Sequence, residues 1–405
     1  MVGQIMIHLD DYLVVVKAEE IKAIKQLGAR LAGRTVQHIN STAVGGGVAE
    51  ILKRLVPLMQ EVGIKVRWNV LSGSEKFFQV TKIFHNAFHG LPVKIIPEMM
   101  TIYQEELKQN FRLVNPGADF IILHDQQPLG LVEARQNDPL ARWLWYCHID
   151  PTGVSREVWD FLRPYAQKCD AAIYHLPDYA KKLGNREYFM PPAIDPLAEK
   201  NREVTAEEKA FILEQLEIPT DLPLIVQVSR FDRLKDPLGV VKTFRLIRKE
   251  IPCRLILAGG MADDDPEGTQ IIFEVQQEVG SDPDIHLLVL PPVSDLAINV
   301  IQRVAAVIIQ KSIQEGFGLT VSEALWKARP VVATPVGGIK LQVLPEKTGL
   351  LARTNEEMAA AVVRLLRNPD FAEQLGKAGH EHVRQNFILP IYLKRWLEVL
   401  NAELL

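Results

Sequence analysis

Short apolar runs that end in polar, glycine- or proline-bearing turns recur along this chain, and helical stretches separate them. In the first half, Thr35-Val36-Gln37-His38-Ile39, Ile64 to Val70, Phe120 to Leu123, Trp143 to Cys147 and Ala171 to His175 read as strands. In the second half, Leu224 to Val228, Arg254 to Ala258, Ile285 to Leu290, Ala306 to Ile309 and Val331-Val332-Ala333 do the same. Runs this short and this apolar suit strands buried on both faces. Between them, Ala18 to Ala32, Val48 to Val62, Ser74 to His89, Pro97 to Leu113, Ala206 to Leu216, Glu356 to Leu366 and Phe371 to Val383 read as helices, and a last one starts at Pro390. Such alternation predicts an α/β chain with doubly wound parallel sheets.

The alternation pauses once, at Met190-Pro191-Pro192-Ala193-Ile194-Asp195-Pro196, which reads as a prolyl linker. With 405 residues, two cores are expected, because a single core stops growing near about 250–300 residues. Residues 1–193 form the expected first domain and 194–387 the second.

The net charge of −4 offers no basic footprint for nucleic acid. Cys147, Cys169 and Cys253 are odd in number and far apart, which argues for a reducing compartment over a disulfide framework. Asp10 and Asp11 interrupt the apolar pieces Ile5-Met6-Ile7 and Leu13 to Val16, so neither a secretory signal nor a membrane span fits. The expectation is a cytoplasmic protein working on small molecules; a homodimer stays open.

In open α/β sheets ligands bind just beyond the carboxyl ends of strands, and that is where the chemistry-bearing residues fall. Glu315-Gly316-Phe317-Gly318-Leu319-Thr320-Val321-Ser322-Glu323 follows a strand and leads into a helix read as Ser322 to Lys327. The first N–H groups of a helix have no partner within it and meet negative charge. Two carboxylates beside them suit a ligand with both hydroxyls and phosphates. Arg230 and Lys235 lie on the loop Ser229 to Asp236 after another strand. Alone they fit solvated surface charge; with Glu315 to Glu323 downstream they fit neutralisation of a departing diphosphate.

The loop Gly45-Gly46-Gly47-Val48-Ala49-Glu50 lets backbone approach a sugar or phosphate. It is a weak dinucleotide fingerprint: the last glycine of the motif is missing and no acid ends the next strand. His124-Asp125 and His148-Ile149-Asp150 end two further strands and read as two His/Asp pairs, at least one of them functional. The remaining histidines, His38 and His175 among them, read as structural or surface residues. Asp263-Asp264-Asp265 fit solvated or helix-capping acids better than a metal site.

The Ser-Arg-Phe-Asp-x-x-Lys-Asp loop, the Glu-Gly-Phe-Gly-Leu…Glu-Ala stretch and Gly337-Gly338 resemble retaining, nucleotide-sugar-dependent glycosyltransferases of the GT-B fold. A narrower resemblance spans most of the chain. It rests on His38-Ile39-Asn40-Ser41-Thr42, Gly45 to Leu52, Thr81-Lys82-x-Phe84-His85-Asn86-Ala87, Cys147 to Asp150, Met190 to Leu197 and Met261-Ala262-x-Asp264 to Gly268. These pieces resemble the trehalose glycosyltransferring synthases.

The resemblance implies two Rossmann-like domains facing across a cleft, with about 388–405 folding back onto the first domain and closure about a hinge near residues 193–198 and the C-terminal helix. It implies transfer of glucose from ADP- or UDP-glucose to free glucose with retention, no enzyme nucleophile, and no required cofactor, with Mg2+ left open. Arg230 and Lys235 would hold the diphosphate. Glu315, with Gly316, Phe317, Gly318 and Leu319, would hold the glucosyl group, and Glu323 the ribose. Gly46 and Gly47 would lie near donor and acceptor, Asp125 and Asp150 on the acceptor side, and His148 at the donor sugar. The chain departs from the family pattern at Gln126, where proline is expected, and at Ala328, where glycine is usual.

Overall fold

The computed structural model describes residues 7–44, 46–137, 139–260, 266–291 and 293–404. The chain divides into two compact units, Met1–Pro192 with Leu389–Leu405, and Ala193–Ile388. Each is a parallel sheet flanked by helices.

The first unit contains β1 (Thr35–Asn40), β2 (Lys65–Val70), β3 (Phe120–His124), β4 (Arg142–Cys147), β5 (Ala171–Tyr174) and β6 (Arg186–Phe189). They lie in the order β2-β1-β3-β4-β5-β6, every pair parallel. β3 and β5 are buried at every residue, as strands covered on both faces must be. The Phe77, Val80, Phe84 and Phe88 stripe of the helix Glu75–Phe88 is core, while Phe78 is partly exposed.

The second unit contains β7 (Leu224–Val228), β8 (Arg254–Gly259), β9 (Ile285–Val289), β10 (Val307–Gln310), β11 (Val331–Ala333) and β12 (Leu350–Leu351). Their order, β12-β11-β10-β7-β8-β9, is the doubly wound dinucleotide type read from its far edge. The winding reverses between β1 and β3 in one sheet and between β7 and β10 in the other. Those two seams are where crevices open at the strand ends.

The helix Leu389–Glu403 completes the first unit. Its Lys394 Nζ meets Glu20 Oε2 at 2.9 Å, its Asn401 Nδ2 donates to Leu27 O at 3.2 Å, and its Trp396 is fully buried. The prolyl segment is no loose linker. Residues 192–196 are buried, and the Ile194 N–H donates to Phe387 O at 2.9 Å. Among the described residues no helix is long and apolar enough to cross a membrane.

The sequence places one functional helix three residues late. It starts at Leu319, after Gly318 in the left-handed region (φ 84°). Ser322 looks like an N-cap because of its side chain, yet it is buried and its Oγ–H donates to Gln342 Oε1 at 2.7 Å. A tertiary partner has taken the group that would have capped. At the other end, the Arg329 N–H reaches Ala324 O and the Ala328 N–H reaches Leu325 O, a Schellman close with Ala328 at φ 53°. A methyl group in that region is strained, which explains why glycine is expected there. Ala328→Gly should therefore stabilise the second unit by about 0.5–1 kcal/mol. A higher urea midpoint at unchanged slope would show it.

Candidate active site

In the second unit the charged loops leave β7 and β10, the neighbours at the seam. Gln227, buried on β7, ties them together. Its Nε2 donates to Lys235 O at 3.0 Å and its Oε1 accepts the Lys311 N–H at 2.9 Å. Asp232 Oδ1 accepts the Lys235 N–H at 3.2 Å, and the Ile313 N–H donates to Leu234 O at 2.7 Å. The Lys235 ammonium is thereby set against Glu315 in an ion pair, and Glu315 Oε2 also accepts from Ser312 Oγ at 3.2 Å. Eighty positions separate Lys235 from Glu315 in sequence. Arg230 stands further out, half exposed, 3.4 Å from Asp232. A paired, largely buried lysine and carboxylate next to a half-exposed guanidinium form a polar cradle for an anion with hydroxyls.

The turn between Glu315 and the helix is held from behind. Gln342 Nε2 donates to Phe317 O at 2.6 Å, and the Gly338 N–H to Gly316 O at 3.2 Å. A Cβ on Gly338 would come within 2.7 Å of Phe317 Cα, so only glycine allows this approach. Glu323 is buried one turn into the helix, 3.6 Å from Lys200 Nζ. Lys327 on the same helix is buried too, and its Nζ donates to Gln302 Oε1, Asn201 Oδ1 and Glu323 O. Burial pulls its ammonium below the usual lysine range, and the Glu323 charge opposes the shift.

In the first unit the site groups again flank the seam. Gly46 precedes the helix Gly47–Glu61 after β1, and a Cβ there would meet no atom within 4 Å. Gly45 lies outside the described residues. Asp125 follows β3 in the left-handed region (φ 66°), which aspartate tolerates. Its N–H donates to Tyr146 O at 2.8 Å, its carbonyl accepts from Trp145 Nε1 at 2.9 Å, and its Oδ1 accepts the His148 N–H at 2.7 Å. Burial pushes the Asp125 carboxyl up to about 7, partly offset by the His148 N–H. Gln126 turns inward. Its carbonyl accepts from Tyr103 Oη at 2.7 Å, and its side chain is buried with Nε2 3.5 Å from Thr81 O. Tyr103, which also accepts the Gly130 N–H at 3.0 Å, thus fixes the loop that a proline was expected to stiffen.

Among the described residues neither Asp125 nor Asp150 bonds a histidine ring. Asp150 Oδ1 caps its own loop, accepting from Thr152 N at 2.9 Å and Thr152 Oγ1 at 2.6 Å. The histidines bond to each other instead. His124 Nδ1 lies 2.8 Å from His148 Nε2, and His124 Nε2 lies 2.9 Å from His38 Nδ1. His148 Nδ1 is 3.4 Å from His175 Nε2. His38 and His175, read from sequence as structural or surface residues, are thus drawn in behind His148. Gln227, Gln342 and Lys200 also escaped the sequence reading; only strand pairing and loop contacts single them out. Asp263, Asp264 and Asp265 lie outside the described residues. Among the described residues no cluster of three or more His, Cys, Asp or Glu could hold a metal ion.

Two doubly wound units with charged strand-end loops are the architecture of GT-B glycosyltransferases. The fold matches sucrose-phosphate synthase from Thermosynechococcus elongatus (TM-score 0.71, 20% identity, 92% of this chain and 99% of that one). It also matches an α,α-trehalose-phosphate synthase (UDP-forming) from Burkholderia vietnamiensis (TM-score 0.74, 16% identity, 92% and 99%). The family model described as "Trehalose synthase, N-terminal domain" matches residues 38–181, and "Glycosyl transferases group 1" matches 208–382. The trehalose synthase of Pyrococcus horikoshii is 41% identical over 400 residues, covering 97% of this chain and 96% of that protein. That of Rubrobacter xylanophilus is 42% identical over 400 residues, covering 95% and 94%. The chain belongs to the trehalose synthase family and is a glycosyltransferase.

Proposed function

We propose that this enzyme transfers glucose from ADP- or UDP-glucose to free glucose with retention, making α,α-trehalose. The observation that carries this reading is the Lys235–Glu315 pair at the β7/β10 seam, where one group suits a diphosphate and the other a sugar hydroxyl. The trehalose synthase relatives, similar over nearly their whole length, support the acceptor.

In this reading the second unit supplies the donor groups. Arg230 and Lys235 neutralise the diphosphate as the C1–O bond to it breaks. Glu315 and the Gly316 to Leu319 backbone hold the glucosyl group, and Glu323 the ribose. Gly46 and Gly47 leave room for the sugars, Asp125 and Asp150 orient acceptor glucose, and His148 meets the donor sugar. The acceptor hydroxyl forms its bond to C1 on the face the diphosphate leaves, and its proton passes to the departing phosphate oxygen. The enzyme supplies placement and charge and forms no covalent intermediate. The chain's own residues require no cofactor for this, and Mg2+ would only add to the neutralisation of the diphosphate.

Incubation with ADP-, UDP- and GDP-glucose and a panel of acceptors tests the reading. Glucose should yield a non-reducing disaccharide and free nucleoside diphosphate. If another sugar is glucosylated and glucose is not, the acceptor assignment is wrong.

A further inference from the structure

His38, His124, His148 and His175 lie on β1, at the end of β3, and just past β4 and β5, four strands that are neighbours in the sheet. The register explains how they meet. His38 is paired with Ile122, two residues before His124, and His124 is paired with Tyr146, two before His148. Cys147 is paired with Tyr174, which brings His148 level with His175. Steps of two, two and zero keep all four side chains on one face of the sheet. Strands spaced about 4.8 Å apart then set ring centroids at 5.2, 5.1 and 5.5 Å along the row. Both ends of the row are buried, and His148, the third ring, is the one that reaches outward. His38, His124 and His175 are buried and His148 is half-buried. Trp396 lies against His38 and His124, and His38 Nε2 has no hydrogen-bond partner among the described residues.

Each nitrogen-to-nitrogen hydrogen bond needs one N–H and one lone pair, and a neutral imidazole has one of each. His124 and His148 use both nitrogens. Burial holds His38 at about 3 and keeps His124 and His148 well below the usual histidine range, so these three rings are neutral. Mixed tautomers would bring two N–H groups or two lone pairs face to face in a buried place, where an unmade hydrogen bond is expensive. Only two arrangements satisfy every link: all four rings protonated on Nδ1, or all four on Nε2. Among the described residues nothing next to His38 Nε2 offers a proton outlet at that end.

We propose that these four histidines are one tautomer-coupled row, and that His38 and His124 are positioning residues that tie the tautomer of His148, and so whether it presents a proton or a lone pair at Nδ1, to their own. Among the described residues that atom is bonded only by the longest link, 3.4 Å to His175, the one a ligand hydroxyl can replace. The proposal rests on the reading of His148 as a group that meets the sugar.

The test has two arms. Nitrogen-15 NMR of the histidine-labelled full chain, without substrate, should show all four rings in the same tautomer. Opposite tautomers at any linked pair overturn the coupling. In the second arm His124→Phe keeps a ring of similar size and removes both bonds, while His124→Asn puts an amide at the Nδ1 position, able to bond His148 Nε2. His124→Phe should lower kcat roughly tenfold or more, with the KM for nucleotide sugar changed less than about threefold, and His124→Asn should recover most of the rate. A phenylalanine variant as fast as the asparagine variant assigns His124 to packing and sinks the proposal. If the wild-type protein transfers no glucosyl group, the reading of the site fails, and the tautomer measurement still decides the row.

Discussion

Lys235→Ala should lower turnover by at least ~10²-fold, the scale seen when a preorganised charge is withdrawn from a developing anion. The structure adds a second reason for a large effect. Lys235 is the partner of Glu315, so its loss also leaves a screened carboxylate where an anionic substrate must sit. The KM for nucleotide sugar should rise with the fall in kcat, and Lys235→Arg should recover little, because a guanidinium does not fit the short reach set by Gln227. Single-turnover measurement of nucleoside diphosphate release decides it; a rate within about threefold of wild type removes Lys235 from the mechanism.

Asp125→Ala should damage the use of glucose more than the binding of nucleotide sugar. The aspartate does two jobs: it accepts the His148 N–H and it holds a left-handed backbone turn. Alanine loses both, and a loss of roughly 10²-fold in kcat/KM for glucose follows if the carboxylate orients the acceptor. Asp125→Asn keeps the turn and removes the charge. The variants separate geometry from charge, and equal damage to donor and acceptor terms would contradict the assignment. The pH profile provides a further check. With its pKa raised to about 7, the carboxyl gains its proton as pH falls through that value, so kcat/KM for glucose should drop on the acid side in wild type and lose that limb in Asp125→Asn. The linkage runs the opposite way for folding. A carboxyl whose native pKa is raised binds more protons folded than unfolded, so its contribution to stability diminishes as pH rises from about 4 through 7.

The sheet strands were legible because buried parallel strands are continuous apolar runs, and β3, β7 and β10 stand out for that reason. β6 did not: Arg186-Glu187-Tyr188-Phe189 is a polar edge strand, visible only once β5 lies beside it. β12 has two residues and carries no pattern of its own. The site was legible where one loop holds its own chemistry, as with Arg230 to Lys235 and Glu315 to Glu323. It was illegible where chemistry is assembled across strands. A lone histidine mid-strand, such as His38, looks like packing until the register sets His124 next to it. The partners of the two aspartates were illegible too: Asp125 leaves the strand in a left-handed turn and accepts the His148 N–H, and Asp150 accepts from Thr152.

The helix Leu389–Glu403 lays Trp396 over His38 and His124, yet it is made after the whole of the second unit. A ribosome adding about 5–20 residues per second takes roughly 10–40 s to go from Pro192 to Leu389. During that interval the part of the first sheet that Trp396 covers, with His38 and His124 in it, lacks its cover. Newly made chains are therefore exposed to capture by chaperones on the side this helix later covers, and a premature stop after Ile388 would leave the first unit without it.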